Sequence, residues 1–227
     1  MIFLIVLVLA GGYALLAAKP GLYYGRSMEY RNFTLHARGD LPTGVDTALD
    51  RAIDRLGASE FFSADKKFDV YLPATPGEFR FFAPFMKNER VRLNPFTGDI
   101  FLAAADFKED KLRREASEHD YRPLGASLAG AAARELARRM VEPLTYLTMS
   151  EWRIGGYAEL ISGGMGMFNP PDICAGRRDD PELLAYEYGL AVDMMMKEEN
   201  EPYHEVLNKS YAYDDVRRRL TVRYCGH

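Results

Sequence analysis

Between Ala131 and Gly163 the sequence reads AAARELARRMVEPLTYLTMSEWRIGGYAELISG, and here residue types and spacing fall where a catalytic centre would be built. Arg134 and Arg138 stand four apart in a run of strong helix formers, so both lie on one helix face, with Glu135 beside them. Two histidines at that spacing would offer neutral imidazole nitrogens to one metal ion, and the glutamate would be the general base. Arginine stays protonated and has no lone pair to give, so two guanidinium groups repel a divalent cation. Other hydrolytic chemistries find no support. His36, His119, His204 and His227 are scattered singly, Cys174 and Cys225 form no CxxC pair, and no G-x-S-x-G is present. Ser127 reads as a helix N-cap.

The stretch resembles the gluzincin metallopeptidases of the peptidase MA-like group, whose zinc site reads HExxH on one helix and W-x-x-E-G-x-A-[DE]-Y on the next. Trp152, Gly156, Tyr157, Ala158 and Glu159 stand at matching positions of the second segment, and Arg134 to Arg138 at those of the first. The resemblance implies that Arg134, Arg138 and Gly155 occupy the three former metal-ligand positions and that Glu135 is a vestigial general base. It implies a zincin-like domain in which an ion-paired cluster of Arg134, Arg138, Glu135 and Glu159 fills the metal's place. The expectation is a catalytically inactive metallopeptidase-like protein with a binding or structural role, no metal and no cofactor. The alternative is an active hydrolase with a non-standard site built from Glu135, Glu159 and His119.

The elements that would position these residues are legible in outline. Asn32 to Ala37, Phe68 to Pro73 and Asp99 to Ala105 read as strands, and Val45 to Leu56 as an amphipathic helix. Pro76 to Phe85 is a short aromatic helix, and Phe107 to Tyr121 a charged loop or surface helix. Helices follow over Leu128 to Met140, ended by Pro143, over Trp152 to Ile161, closed by Gly163 and Gly164, and over Glu182 to Glu198 and Asp214 to Leu220. Pro170, Pro171 and Arg177 to Asp180 make an exposed loop. Strands first and helices afterwards predict an α+β fold, a small sheet followed by packed helices. Met165, Met167, Met194 to Met196 and the cluster Phe79, Phe81, Phe82, Phe85 read first as core.

The chain of 227 residues has 29 basic and 33 acidic side chains, a net charge of -4 that offers no footprint for a nucleic-acid backbone. Residues 1–18 carry no charge and reach the length of a membrane span, predicting a transmembrane anchor, a tether over 19–30 and one domain over 31–227. Lys19, Arg26, Arg31 and Arg38 favour a cytoplasmic domain by the positive-inside bias. Cys174 and Cys225 suit a disulfide in an oxidising compartment. Both orientations stay open, the resemblance favouring a membrane-anchored, extracytoplasmic domain whose peptide or protein partner is unidentified.

Overall fold

Phe33, Leu35 and Ala37 alternate with Thr34 and His36 in the period of a strand with one face in a core. They form β2 (Phe33–Ala37), antiparallel to β1 (Arg26–Tyr30) across a turn in which Arg31 takes φ 50. The computed structural model describes residues 2–82, 90–113, 121–164, 168–175 and 180–226. It divides the chain into two units, the first made of Met1–Leu49 and Asp65–Leu124, the second of Asp50–Ala64 and Gly125–His227.

In unit 1, β2 pairs in parallel with β3 (Phe68–Leu72), and β4 (Val91–Leu93) pairs antiparallel with β5 (Ile100–Leu102), itself parallel to β3. The order is β1-β2-β3-β5-β4, and Leu35, Val70 and Ile100 meet in register, all fully buried. A second sheet, ordered β6-β7-β8, comprises β6 (Ala104–Asp106), β7 (Lys111–Arg113) and β8 (Tyr121–Pro123).

The amino-terminal expectation is corrected. Helix α1 (Ile2–Ala18) has 17 residues, which at 1.5 Å per residue span about 25 Å against a hydrocarbon core of about 30 Å. No helix among the described residues is long and apolar enough to cross a membrane. The last turns of α1 are engaged with unit 1. Tyr13 donates to the Phe81 carbonyl at 3.2 Å, and Asn94 Nδ2 donates to the Ala17 carbonyl at 3.1 Å. Leu16 packs on the buried aromatic cluster of Tyr24, Tyr71, Phe79, Phe82 and Phe101. The expected tether contains β1, and a 3-10 turn at Pro20–Leu22 precedes it.

The expected α+β order is corrected as well, because the architecture is mixed α/β. Helix α2 (Asp46–Leu56), which opens in unit 1 and ends in unit 2, lies in the chain between two parallel strands, as does α3 (Pro76–Phe82). The segment expected to be a charged loop or surface helix contains β7 and ends at β8. Each has three residues, and Leu112 is the sole buried one in β7, too little for alternation to register. Phe85 and Met165 to Met167 lie outside the described residues, whereas Phe79, Phe82, Met194 and Met195 are buried.

Unit 2 is helical. It contains α4 (Leu124–Arg139) from its second residue on, α5 (Pro143–Thr148), α6 (Glu151–Ser162), α7 (Pro181–Glu199), α8 (Tyr203–Asn208) and α9 (Tyr213–Cys225). Helix α4 starts at Leu124, so Ser127 sits inside its first turn and not at the expected cap position. Gly163, at φ 67, ends α6 in the left-handed conformation open to glycine. Asp180 caps α7, accepting from Glu182 N and Leu183 N at 2.9 and 3.3 Å. Cys174, in the 3-10 helix Pro170–Ala175, and Cys225, the last residue of α9, are disulfide-bonded.

Helices α6 and α7 touch backbone to backbone. A Cβ on Gly156 would lie 2.3 Å from the Tyr188 carbonyl oxygen, which no side-chain motion can relieve. Gly156→Ala is therefore expected to lower stability by about 2–3 kcal/mol or more. Gly25→Ala, where the added carbon meets nothing within 4 Å, should stay within about 0.5 kcal/mol. Urea unfolding of both variants checks the contrast.

Candidate functional site

Small residues let α4 and α6 lie close together. Helix α4 is buried along most of its length by Leu128, Ala129, Ala132, Ala133, Leu136 and Ala137. A Cβ on Gly130 would sit 3.1 Å from the Ala158 carbonyl oxygen and 3.3 Å from Ser162 Cβ. One turn further along α4, a Cβ on Gly155 would lie 3.1 Å from Arg134 Nη2 and 2.7 Å from Glu151 Oε1. Residue 130 thus lies against 158 and 162, and the end of the Arg134 side chain lies over 155.

That register brings Arg134 and Gly155 together. The space above Gly155 is taken by an ion pair, since Arg134 binds Glu151 through both terminal guanidinium nitrogens, Nη1 reaching Oε2 at 3.4 Å. Arg138 turns back along its own helix onto Glu135. The Glu135 carboxylate is fully buried and accepts from Arg138 Nη2 at 2.7 Å and Arg138 Nε on its other oxygen. Arg139 Nε adds a third bond to Oε1 at 2.7 Å. The charges of Arg134, Glu151, Glu135 and Arg138 all act on the half-buried Tyr146 phenol, which burial raises above its ordinary pKa. These four charged groups therefore share one neighbourhood.

The chemistry of this arrangement is that of a closed salt cluster. Three guanidinium groups surround two carboxylates, and both oxygens of Glu135 already accept hydrogen bonds. Glu159 is buried, and its carboxylate lies at the carboxyl end of α6, where a Cβ on Gly164 would come within 2.1 Å of Oε1. Among the described residues no group of three or more His, Cys, Asp or Glu is placed to hold a metal ion. His36 bonds Asp69 at 2.7 Å in unit 1, and His204 meets Glu60 in unit 2. His119 and His227 lie outside the described residues.

The remaining motif positions hold the helices in place. Trp152 is buried and leans on the Tyr213 ring, centroids 5.8 Å apart. Tyr157 stacks on Tyr203 at 3.7 Å with its hydroxyl 2.7 Å from Ser59 Oγ, and Ala158 marks the crossing with Gly130. Glu151, Arg139 and Tyr146 complete the cluster without having been singled out in the sequence. Two of them had a signal available: Arg139 is four residues after Glu135, and Glu151 is four before Gly155, so each shares a helix face with a recognised position.

Glu135→Gln, which removes the buried carboxylate charge that Arg138 and Arg139 bond, is expected to cost about 2–4 kcal/mol. Glu151→Gln, at a half-exposed pair, should cost about 0–1 kcal/mol, and equilibrium unfolding in urea separates the two. Burial also pushes the Tyr157 phenol up to about 12, above its ordinary 10.0. The folded chain then keeps a proton that the unfolded chain releases, so this contribution is full below pH 10 and is lost as pH rises to about 12. Tyr157→Phe should flatten the fall in urea midpoint over that interval. No protein-family model matches the chain, and neither does any curated protein or solved structure.

Proposed function

We propose that this chain is a degenerate relative of the gluzincin metallopeptidases, in which a salt cluster replaces the zinc centre and the protein serves in binding or as a structural element instead of cutting peptides. One observation carries the reading. The position of the missing third ligand, Gly155, lies 3.1 Å from the end of the Arg134 side chain when given a Cβ. Sequence places these two residues on different helices, 21 positions apart, and a shared metal would require this juxtaposition.

The retained residues are those that pack. Gly156, Tyr157 and Trp152 each fill a place in the helix assembly, whereas the three exchanged positions are those whose chemistry a metal would need. Packing and catalysis draw on different residues, so a scaffold can outlast its reaction. The Cys174–Cys225 bond supports a place of work in an oxidising compartment.

The test restores the centre. Arg134→His, Arg138→His and Gly155→Glu, made together in the full chain, remove two guanidinium groups and add three ligands. The obstacle to the new glutamate is Glu151 Oε1, the tip of a flexible side chain that loses its partner in the same variant. Calorimetry with zinc should show no tight binding by the wild type and one zinc bound per chain by the triple variant, with a dissociation constant below about 1 μM. Tight binding by the wild type that is lost on substituting Glu135 and Glu151 would overturn the proposal. A folded triple variant without zinc affinity would overturn the assignment of ligand positions. Peptide hydrolysis need not return, since groups around the ligands also tune a zinc site.

A further inference from the structure

Unit 1 carries a feature that the proposed function does not use. Parallel strands send the chain away at their carboxyl ends, which leaves a crevice where small ligands settle in open α/β sheets. Here Ala37 closes β2, Leu72 closes β3 and Leu102 closes β5, and all three line a groove of about 930 Å3. That volume suits an organic molecule. Edge strand β6 lines it too, and most of the remaining lining is alanine, proline and other apolar residues.

Its charged groups are not all paired within the groove. Four charged residues line the groove, Asp40, Asp106, Lys108 and Arg113. Asp40 is already paired with Arg26 Nη1 at 2.9 Å. Asp106 meets Arg113 Nη2 loosely, at 3.9 Å. Among the described residues the buried Arg113 Nε has no hydrogen-bond partner, an arrangement that costs free energy unless an acceptor supplies the bond. The exposed Lys108 has no ion-pair partner among the described residues. One cation and one buried donor are left over in a chamber that is otherwise apolar.

We propose that this groove binds a small molecule bearing one carboxylate on an apolar body, the carboxylate lying against Lys108 and Arg113 and the body against Leu72, Leu102 and Phe107. A monoanion fits better than a dianion, because the groove also holds the Asp40 and Asp106 carboxylates. The ligand touches none of the cluster residues around Glu135.

The test uses the full chain and three probes that share one body and differ in the head group: decanoate, decylammonium and decanol. Calorimetry should show saturable binding of one decanoate per chain, with the other two probes at least about tenfold weaker, the worth of one charge-assisted contact. Lys108→Glu should weaken decanoate by about tenfold or more. Ala74→Trp plugs the groove from an exposed position whose backbone N–H keeps its bond to Glu78, and should also abolish binding. Unchanged urea midpoints would show that both variants fold. Absence of saturable decanoate binding, equal binding of the three probes, or decanoate binding that survives either substitution would overturn the proposal.

Discussion

The second unit depends on how closely its helices can approach. At Gly156 the backbone of α6 comes so near the Tyr188 carbonyl that the smallest side chain is excluded, and at Gly130 the backbone of α4 does nearly the same against α6. Helix axes this close leave little room between them. Alanines on α4 are buried, and the bulky residues of α6, Trp152 and Tyr157, pack on Tyr213 and Tyr203. Packing density of this kind transmits any change in volume directly into the neighbours. It also sets the register that aligns Arg134 with Gly155.

The charged cluster follows from that register. A carboxylate as deeply buried as Glu135 needs a counter-charge and several donors, because water no longer solvates it. Arg138 and Arg139 supply both, from three and four positions further along the same helix, with planar forks suited to carboxylate oxygens. Arg138 and Arg134 thus each supply donors to one carboxylate of the cluster. A single arginine-to-histidine exchange at either position would leave Glu135 or Glu151 short of a partner.

Sequence and structure agree most where elements are long or sharply patterned. β2, α2, β3, α6 and α7 stand close to where periodicity puts them, because each buries an apolar face over several residues. The edge strand β1 escaped, since Arg26, Ser27 and Glu29 are exposed and no core face organises its pattern. β4, β7 and α8 are too short for a period to repeat. Helix α1 misled for another reason. Its uniform hydropathy is that of a membrane span, but hydropathy does not report that Tyr13, Leu16 and Ala17 have partners on unit 1. In the cluster, Arg134, Arg138 and Glu135 were legible by spacing, whereas the Arg134–Glu151 pair depends on a crossing of two helices that local sequence does not encode.

The division of the chain has a consequence for its birth on the ribosome. Residues 50–64 belong to the helical unit, yet they are made between β2 and β3 of the other. Every residue assigned to unit 1 has emerged once Leu124 is clear, so that unit can mature early. The residues 50–64, with Ser59 awaiting Tyr157 and Glu60 awaiting His204, stay uncommitted until those residues follow. At 5–20 residues per second the delay is on the order of ten seconds. During that time an amphipathic segment with buried-type residues such as Ala52 and Leu56 is presented to the cell without its native neighbours, and it is there that a nascent-chain chaperone has something to hold.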